Sequence, residues 1–569
     1  MNEMLKFFKA LAILLRFGVC VAVCNAQPSD EELLEKAKAM ETIIIDGIDK
    51  LGIPGAAFVV SRNGKVIYSG GFGNTTIASN LFHNPELVTE KTVFPVSSLT
   101  KNITAILVGA LVDAGMLSFS DKVRKYLPDF FIANEELSAE FTVLDLISHR
   151  SGLKHFSADS LLQAGYEPDE IVRALRFMKQ KPGEFRKKYG YQNVVFGIIG
   201  FVIEQATGRK YEDLVKEYIF DKMGMDFSSA IRLSAETGRF GHFKHMLSRF
   251  SHDRQRLGLW NAVINLGRSA LSHKPKNIVV GHFKNGDKVI PLEEIGMFHK
   301  FPATSGVSLS AQDFAKWIEM LASGGTYRGT QIVSKETFKT LTSAMAEVKN
   351  IKDDDYSFIK SRYKREGMSY CAGIYRGVYF DNGKNEREIL FHMGGIYGAA
   401  SFLAVVPSED IAVGVVVNVG GVSITLFAEY MVHQYLDMCL GYSKIDWVQK
   451  DIERRDYYKE RQASYRASLA ERNIAPMQDV GHYIGTYHAE IYGDVVATEE
   501  RGELWLTNGI RKVRLRHLNG DTFEFPCMEL MFCAFDADET ATFIEDEYGN
   551  ISALYLSGLS ENDTIFKRR

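Results

Sequence analysis

The segment Phe94-Pro95-Val96-Ser97-Ser98-Leu99-Thr100-Lys101-Asn102-Ile103-Thr104-Ala105-Ile106-Leu107-Val108-Gly109-Ala110-Leu111-Val112 reads as a loop entering a helix that extends from Ser98 to about Leu117. Apolar residues occupy nearly every side of this helix beyond its first turn, which places it in a protein interior. Ser98 and Lys101, at i and i+3, share a face. A lysine carried into a low-dielectric interior holds its proton less tightly and becomes usable as a base toward a neighbouring hydroxyl. The same Ser-x-x-Lys spacing recurs at Ser151/Lys154, Ser357/Lys360 and Ser361/Lys364, but only Ser98 stands at the mouth of a buried helix. A lone match reads more simply as a capping serine and a snorkelling lysine, so the case depends on what the rest of the chain supplies.

Upstream, Ser29-Asp30-Glu31-Glu32 is a capping box that opens a helix to about Lys50. The β-rich runs Gly55–Ser61 and Lys65–Gly70 are joined by Asn63-Gly64, a pair suited to a two-residue hairpin turn. Downstream, residues 120–230 are helical in pattern, and 232–294 lacks clear periodicity and reads as an insertion or lid. Strand patterns return at Arg387–Phe391, Ser401–Val406 and Ile411–Val417, followed by helices over Ser423–Leu440 and Trp447 to about Arg472. The second of these helices is heavily charged and reads as a solvated linker. From Gly481 onward, short β-type runs alternate with turns such as Asn508-Gly509 and Asn519-Gly520. The order predicts an α+β fold, an antiparallel sheet whose first and last strands flank a helical insert, followed by an antiparallel β-barrel. The expected parts are a signal peptide over 1–26, a catalytic domain over 27–445, a linker helix over 446–475 and a barrel over 476–569.

The chain has 569 residues, 46% hydrophobic and 24% charged, with 13 prolines, enough apolar material for large cores. Its net charge of −4 offers no global basic field for nucleic acid or an anionic membrane. Lys6 and Lys9 precede an apolar stretch from Ala10 to Val23 and then Cys24-Asn25-Ala26, the pattern of a secretory signal. A secreted or secretory-lumen location follows, with a membrane anchor or a mitochondrial transit segment as the rival readings. Removal of the signal leaves Cys371, Cys439, Cys527 and Cys533, which permit three pairings. Glycosylation sequons stand at Asn74, Asn102, Asn550 and Asn562; the one at Asn102, inside the buried helix, is expected to stay unmodified.

Two further groups join Ser98 and Lys101. Tyr191-Gln192-Asn193 supplies a phenol that a neighbouring ammonium can hold as phenolate, and an amide able to bind a substrate carbonyl. His392-Met393-Gly394-Gly395 follows the predicted strand to Phe391; its glycine pair lets a substrate approach, and a backbone N–H there can join that of Ser98 in an oxyanion hole. With these ordered motifs the sequence resembles the serine β-lactamase and penicillin-binding-protein superfamily, in its class C β-lactamase-like branch of serine hydrolases and peptidases, over about residues 40–440. Gly52-Ile53-Pro54-Gly55-Ala56-Ala57, Lys125-Tyr126-Leu127-Pro128 and Leu146-Ile147-Ser148-His149-Arg150-Ser151-Gly152-Leu153 are also similar to that family. The tail, with Tyr483-x-Gly485-x-Tyr487 and Leu515-x-His517-x-x-Gly520-Asp521-x-Phe523, resembles the lipocalin-like barrel appended to some members.

The resemblance implies that Ser98 is acylated, that Lys101 and Tyr191 share proton transfer, that Asn193 positions the substrate, and that the N–H groups of Ser98 and Gly395 form the oxyanion hole. His392 and Gly394 stand where the lactam-binding enzymes carry Lys-Thr-Gly. A largely neutral histidine followed by Met393 weakens the anchor for a substrate carboxylate, so efficient β-lactam hydrolysis is not expected.

There is no Gly-x-Ser-x-Gly, P-loop or Gly-x-Gly-x-x-Gly motif, and no cofactor or metal is expected. His242 and His245 have helical ligand spacing without further donors and read as surface histidines. The expected function is an exported serine hydrolase cleaving an amide or ester of a peptide or small-molecule substrate, peptides being favoured. The alternatives are a catalytically inactive binding or filament-forming scaffold and an esterase without peptidase activity. Self-association is left open.

Overall fold

The computed structural model describes residues 27–77, 85–230, 277–285, 288–292, 300–349, 362–364, 366–382, 384–421, 425–470, 475–525, 539–557, 559 and 565–569. The leader 1–26, most of the 232–294 insert with His242 and His245, Cys527, Cys533 and Asn562 lie outside them.

Helix α1 (Asp30–Leu51) starts where the capping box predicts, with Ser29 Oγ accepting from Glu32 N and the Glu32 carboxylate accepting from Ser29 N. Its buried stripe Leu33, Ala37, Met40, Ile44, Ile48 and Leu51 follows the helical repeat and packs on an eight-stranded antiparallel sheet. The sheet's strands are β1 (Gly55–Arg62), β2 (Lys65–Gly73), β3 (Ala346–Glu347), β4 (Ser369–Tyr370), β5 (Tyr375–Asp381), β6 (Lys384–Ile396), β7 (Ala399–Val406) and β8 (Ile411–Val417). They lie in the order β2-β1-β8-β7-β6-β5-β4-β3, so the first hairpin closes against the last strand and the helices are inserted between. Asn63 and Gly64 both take positive φ, as the hairpin turn requires.

β1, β7 and β8 are buried along their whole length because both faces are covered. Ile389, Phe391, Phe402, Val413 and Val415 face α1 and helix α6 (Thr425–Leu440). Leu390, Leu403, Val405, Ala412 and Val416 face the inserted helices, among them α2 (Thr100–Asp113), α3 (Asp159–Gln163), α4 (Asn193–Thr207) and α5 (Ala311–Ala322). Each fully buried Val, Leu or Phe contributes about 1.5–3 kcal/mol, so this doubly covered sheet is the main source of cohesion.

Several expectations are corrected. The buried helix ends at Asp113, not near Leu117, with Gly115 at φ 71° terminating it. The strand predicted over Arg387–Phe391 runs on to Ile396, because pairing with β7 continues through Gly394↔Ser401 and Ile396↔Ala399. His392 therefore lies inside a strand and not at its end. Part of the unpatterned insert is ordered as a hairpin, His282–Asn285 with Lys288–Pro291, paired in parallel to Val419–Gly420. Helix α7 (Trp447–Ala470) is not simply a solvated linker: Trp447, Val448, Asp451 and Arg454 in its first turns are buried, and Trp447 Nε1 donates to Asp437 Oδ2 of α6 at 2.9 Å.

Beyond residue 476 a second antiparallel sheet of nine strands forms the barrel: β9 (Gly485–Ala489), β10 (Gly493–Glu500), β11 (Glu503–Thr507), β12 (Lys512–Arg514), β13 (Arg516–Asn519), β14 (Thr522–Phe525), β15 (Glu539–Glu545), β16 (Ile551–Leu556) and β17 (Ile565–Arg568). The order β12-β11-β10-β9-β17-β16-β15-β14-β13 puts consecutive strands at its two ends, so the sheet curls to near closure. Cys371 and Cys439 are buried free thiols, and since each of the three pairings needs both of them bonded, none of the three forms. Asn102 is buried, as its helix predicts, whereas Asn74 and Asn550 are exposed.

Candidate active site

The backbone enters α2 through a single 3-10 turn, Ser97–Leu99, in which Ser97 sits at φ 53°. A non-glycine residue in this left-handed region is strained, and the surrounding packing must hold it there. Strand β6 supplies that packing. A Cβ on Gly394 would stand 2.6 Å from Val96 O and 3.0 Å from Ser97 Cβ, so only glycine lets the strand's backbone lie flush against the turn. Ser401, opposite Gly394 on β7, donates to Val96 O at 2.8 Å and ties the same corner. The neighbouring Gly395 is exposed beside this corner.

At the second position of α2, Lys101 is completely buried. Its Nζ donates to Ser98 Oγ at 3.0 Å, to Asn193 Oδ1 at 2.7 Å and to the Thr304 carbonyl at 3.4 Å. The ammonium also lies over the Tyr191 ring, 4.9 Å from its centroid, and 5.7 Å from that of Phe196. Burial holds the Lys101 pKa well below the usual lysine range, with the charge of Asp159 opposing the fall. A neutral amine within hydrogen-bond reach of a hydroxyl is what a general base for serine requires.

Asn193 starts α4, and its amide is oriented by its two partners: Oδ1 faces Lys101 and Nδ2 donates to Asp159 Oδ2 at 2.6 Å. Thr304 Oγ1 donates to the Asn193 carbonyl at 3.0 Å, tying the start of α4 to the segment that also receives Lys101.

His392 is fully buried, and its pKa is pushed down to about 3, first by burial and then by Lys101. The neutral ring donates through Nδ1 to Met393 O at 2.6 Å and accepts at Nε2 from Tyr370 OH at 3.2 Å, because burial keeps the Tyr370 phenol protonated. His149 completes an aromatic wall: its ring is 4.3 Å from Tyr191 and 4.6 Å from Tyr370, and burial, ahead of Lys101 and His392, keeps it neutral. Its loop is anchored by Asp145, which is buried and accepts from Arg150 Nε and Arg186 Nη2, each at 2.7 Å.

Ser98, Lys101, Tyr191, Asn193 and the His392–Gly395 segment thus converge from α2, the approach to α4, and β6. Asp159, Thr304, His149 and Tyr370 join them without having been singled out as functional. His149 lies in a stretch whose family likeness was visible. Asp159, Thr304 and Tyr370 carry no local motif and reach the site only through tertiary packing. Among the described residues no cluster of three or more His, Cys, Asp or Glu could hold a metal.

A family model described as Beta-lactamase matches residues 40–423. The chain belongs to the beta-lactamase family. Among relatives of this beta-lactamase-family protein, unguisins hydrolase ungD' of Aspergillus campestris is 24% identical over 501 residues, covering 84% of this chain and 80% of its own. Protein flp of Staphylococcus aureus (strain MRSA252) is 20% identical over 403 residues, covering 70% and 66% respectively. Among solved structures, the octameric penicillin-binding protein homologue from Pyrococcus abyssi aligns with a TM-score of 0.53 at 19% identity, over 93% of this chain and 99% of that one. The structure of SurE aligns with a TM-score of 0.50 at 17% identity, over 94% and 99%. Both alignments take in the barrel as well as the β-lactamase-like part, so the expected fold class stands.

Proposed function

We propose that this beta-lactamase-family protein is a serine hydrolase that cleaves an amide or ester bond through an acyl-enzyme on Ser98, with peptides as the favoured substrates. The observation that carries the proposal is the fully buried Lys101, held 3.0 Å from Ser98 Oγ with its proton affinity lowered by desolvation. The relative named as a hydrolase supports the reaction class.

Lys101 accepts the Ser98 proton as the hydroxyl attacks the carbonyl carbon, and Tyr191, whose ring faces the same ammonium, shares the transfer to the leaving group. The N–H groups of Ser98 and Gly395 receive the developing oxyanion. Water then attacks the ester carbonyl, the same groups take its proton, and Ser98 is released. The neutral, internally hydrogen-bonded His392 provides no cation for a substrate carboxylate, which disfavours β-lactams.

The test is labelling of the full chain with a fluorophosphonate, read by mass spectrometry. One adduct per chain on Ser98, absent from Ser98→Ala, is expected. Intact wild-type protein that forms no Ser98 adduct would reject acylation, and matched ester and peptide substrates then assign the bond cleaved.

A further inference from the structure

Two consecutive residues of α3 point to different parts of the molecule. Asp159, 4% exposed, reaches the catalytic centre and accepts from Asn193 Nδ2 at 2.6 Å. Ser160, 2% exposed, reaches the barrel, where its Oγ is 2.7 Å from the hydroxyl of buried Tyr492 in the turn between β9 and β10. The barrel grips the same segment further along. Tyr166 OH donates to Tyr492 O, Asn508 Nδ2 donates to Ala164 O at 3.3 Å, and Ile510 packs on Gly165.

We propose that Asp159 is a positioning residue of the catalytic centre, that it fixes the Asn193 amide and through it Lys101, and that the barrel holds Asp159 in place by clasping Ser160 with Tyr492. The proposal rests on the acylation of Ser98 proposed above, and it gives the barrel a part in catalysis.

The physical argument has two parts. An amide has one accepting and one donating end, and Lys101 Nζ must meet the accepting end. A carboxylate at Nδ2 enforces that orientation, whereas without it a flipped amide would turn its N–H groups toward the amine. The second part is charge. Facing Lys101 are the His149 and His392 imidazoles, the Tyr191 and Phe196 rings, the Asn193 Oδ1, the Thr304 carbonyl and Ser98 Oγ, and Asp159 is the group whose charge favours the ammonium. Its carboxylate therefore sets both where the amine sits and how readily it keeps a proton.

The test is the rate of fluorophosphonate labelling at Ser98 across pH in the full chain, with folding checked by thermal unfolding. Absence of wild-type labelling refutes the underlying acylation reading, whereas the following outcomes bear on Asp159 alone. Asp159→Asn keeps an acceptor for Asn193 but removes the charge, so the rise of rate with pH, as Lys101 loses its proton, moves to lower pH by about 1 unit or more. Asp159→Ala also frees the amide and lowers the plateau rate about tenfold. Tyr492→Phe lowers the plateau severalfold in wild type and adds nothing on top of Asp159→Ala. Wild-type profiles and plateaus in both folded Asp159 variants would overturn the positioning role. Multiplication of the Tyr492→Phe effect in the double variant would overturn the barrel's part.

Discussion

Two fully buried ionisable side chains lie on opposite sides of the main sheet and are treated in opposite ways. Lys101, on the face with the inserted helices, has three hydrogen-bond acceptors and a carboxylate in electrostatic reach. Glu429 of α6, on the other face, has no hydrogen-bond partner for either carboxylate oxygen among the described residues, and its pKa is pushed up to about 8 by burial against the opposing pull of Arg454. His433 Nε2 stands 3.7 Å from Glu429 Oε1, but the imidazole is itself driven down to about 3 and accepts from Tyr363 OH at 3.0 Å, so the two are neutral neighbours and not an ion pair. The desolvation is the same in kind. What differs is the set of partners, which keeps an amine reactive in one place and leaves an acid protonated in the other.

The sharpest way to break this comparison is Lys101→Met. If the amine is a base, Ser98 labelling falls about 10²- to 10⁴-fold. Labelling at the wild-type rate would place the base elsewhere.

Glu429→Met should do the reverse, leaving labelling unchanged and altering stability with pH. A carboxyl whose folded pKa is raised favours the fold fully below its unfolded value near 4.5, and that contribution is lost as pH rises to about 8. The variant's gain in unfolding free energy is therefore larger at pH 8 than at pH 4.5, by on the order of 2 kcal/mol or more. Denaturant titrations at the two pH values check this, and an equal gain at both would show that Glu429 is ionised through its partners. The smallest effect belongs to Tyr363→Phe, which strips the hydrogen bond from His433 and costs about 1 kcal/mol at either pH.

These regions were unequally legible in the sequence. The capping box of α1, the Asn63-Gly64 hairpin and the alternation of the barrel strands are local signals, and each appears where its chemistry predicts. Ser98, Lys101, Tyr191 and Asn193 were legible because two of them share a helical face and two share a short motif. The extent of β6 was not, since Gly394 and Gly395 read as the end of a strand, whereas β7 pairs straight through them. Asp159 was hidden for another reason. Its helix is five residues long and carries no periodic pattern, and its significance arises only when Asn193 is folded against it. The Glu429 cluster was hidden within an ordinary-looking helix, where nothing in the sequence marks a carboxyl that will find no partner.

Along β6 the side chains alternate, Leu390 and His392 toward the Ser98 side, Ile389 and Phe391 toward α6. A one-residue slip of β6 against β7 would put the strand out of phase, sending a phenyl ring toward Ser98 and an imidazole into an apolar layer. The unbroken pairing of His392 with Leu403 and of Gly394 with Ser401 holds that phase, while the irregularity between Tyr379 and Asp381 is confined to the other edge of the strand, so β5 can vary in length where β7 cannot.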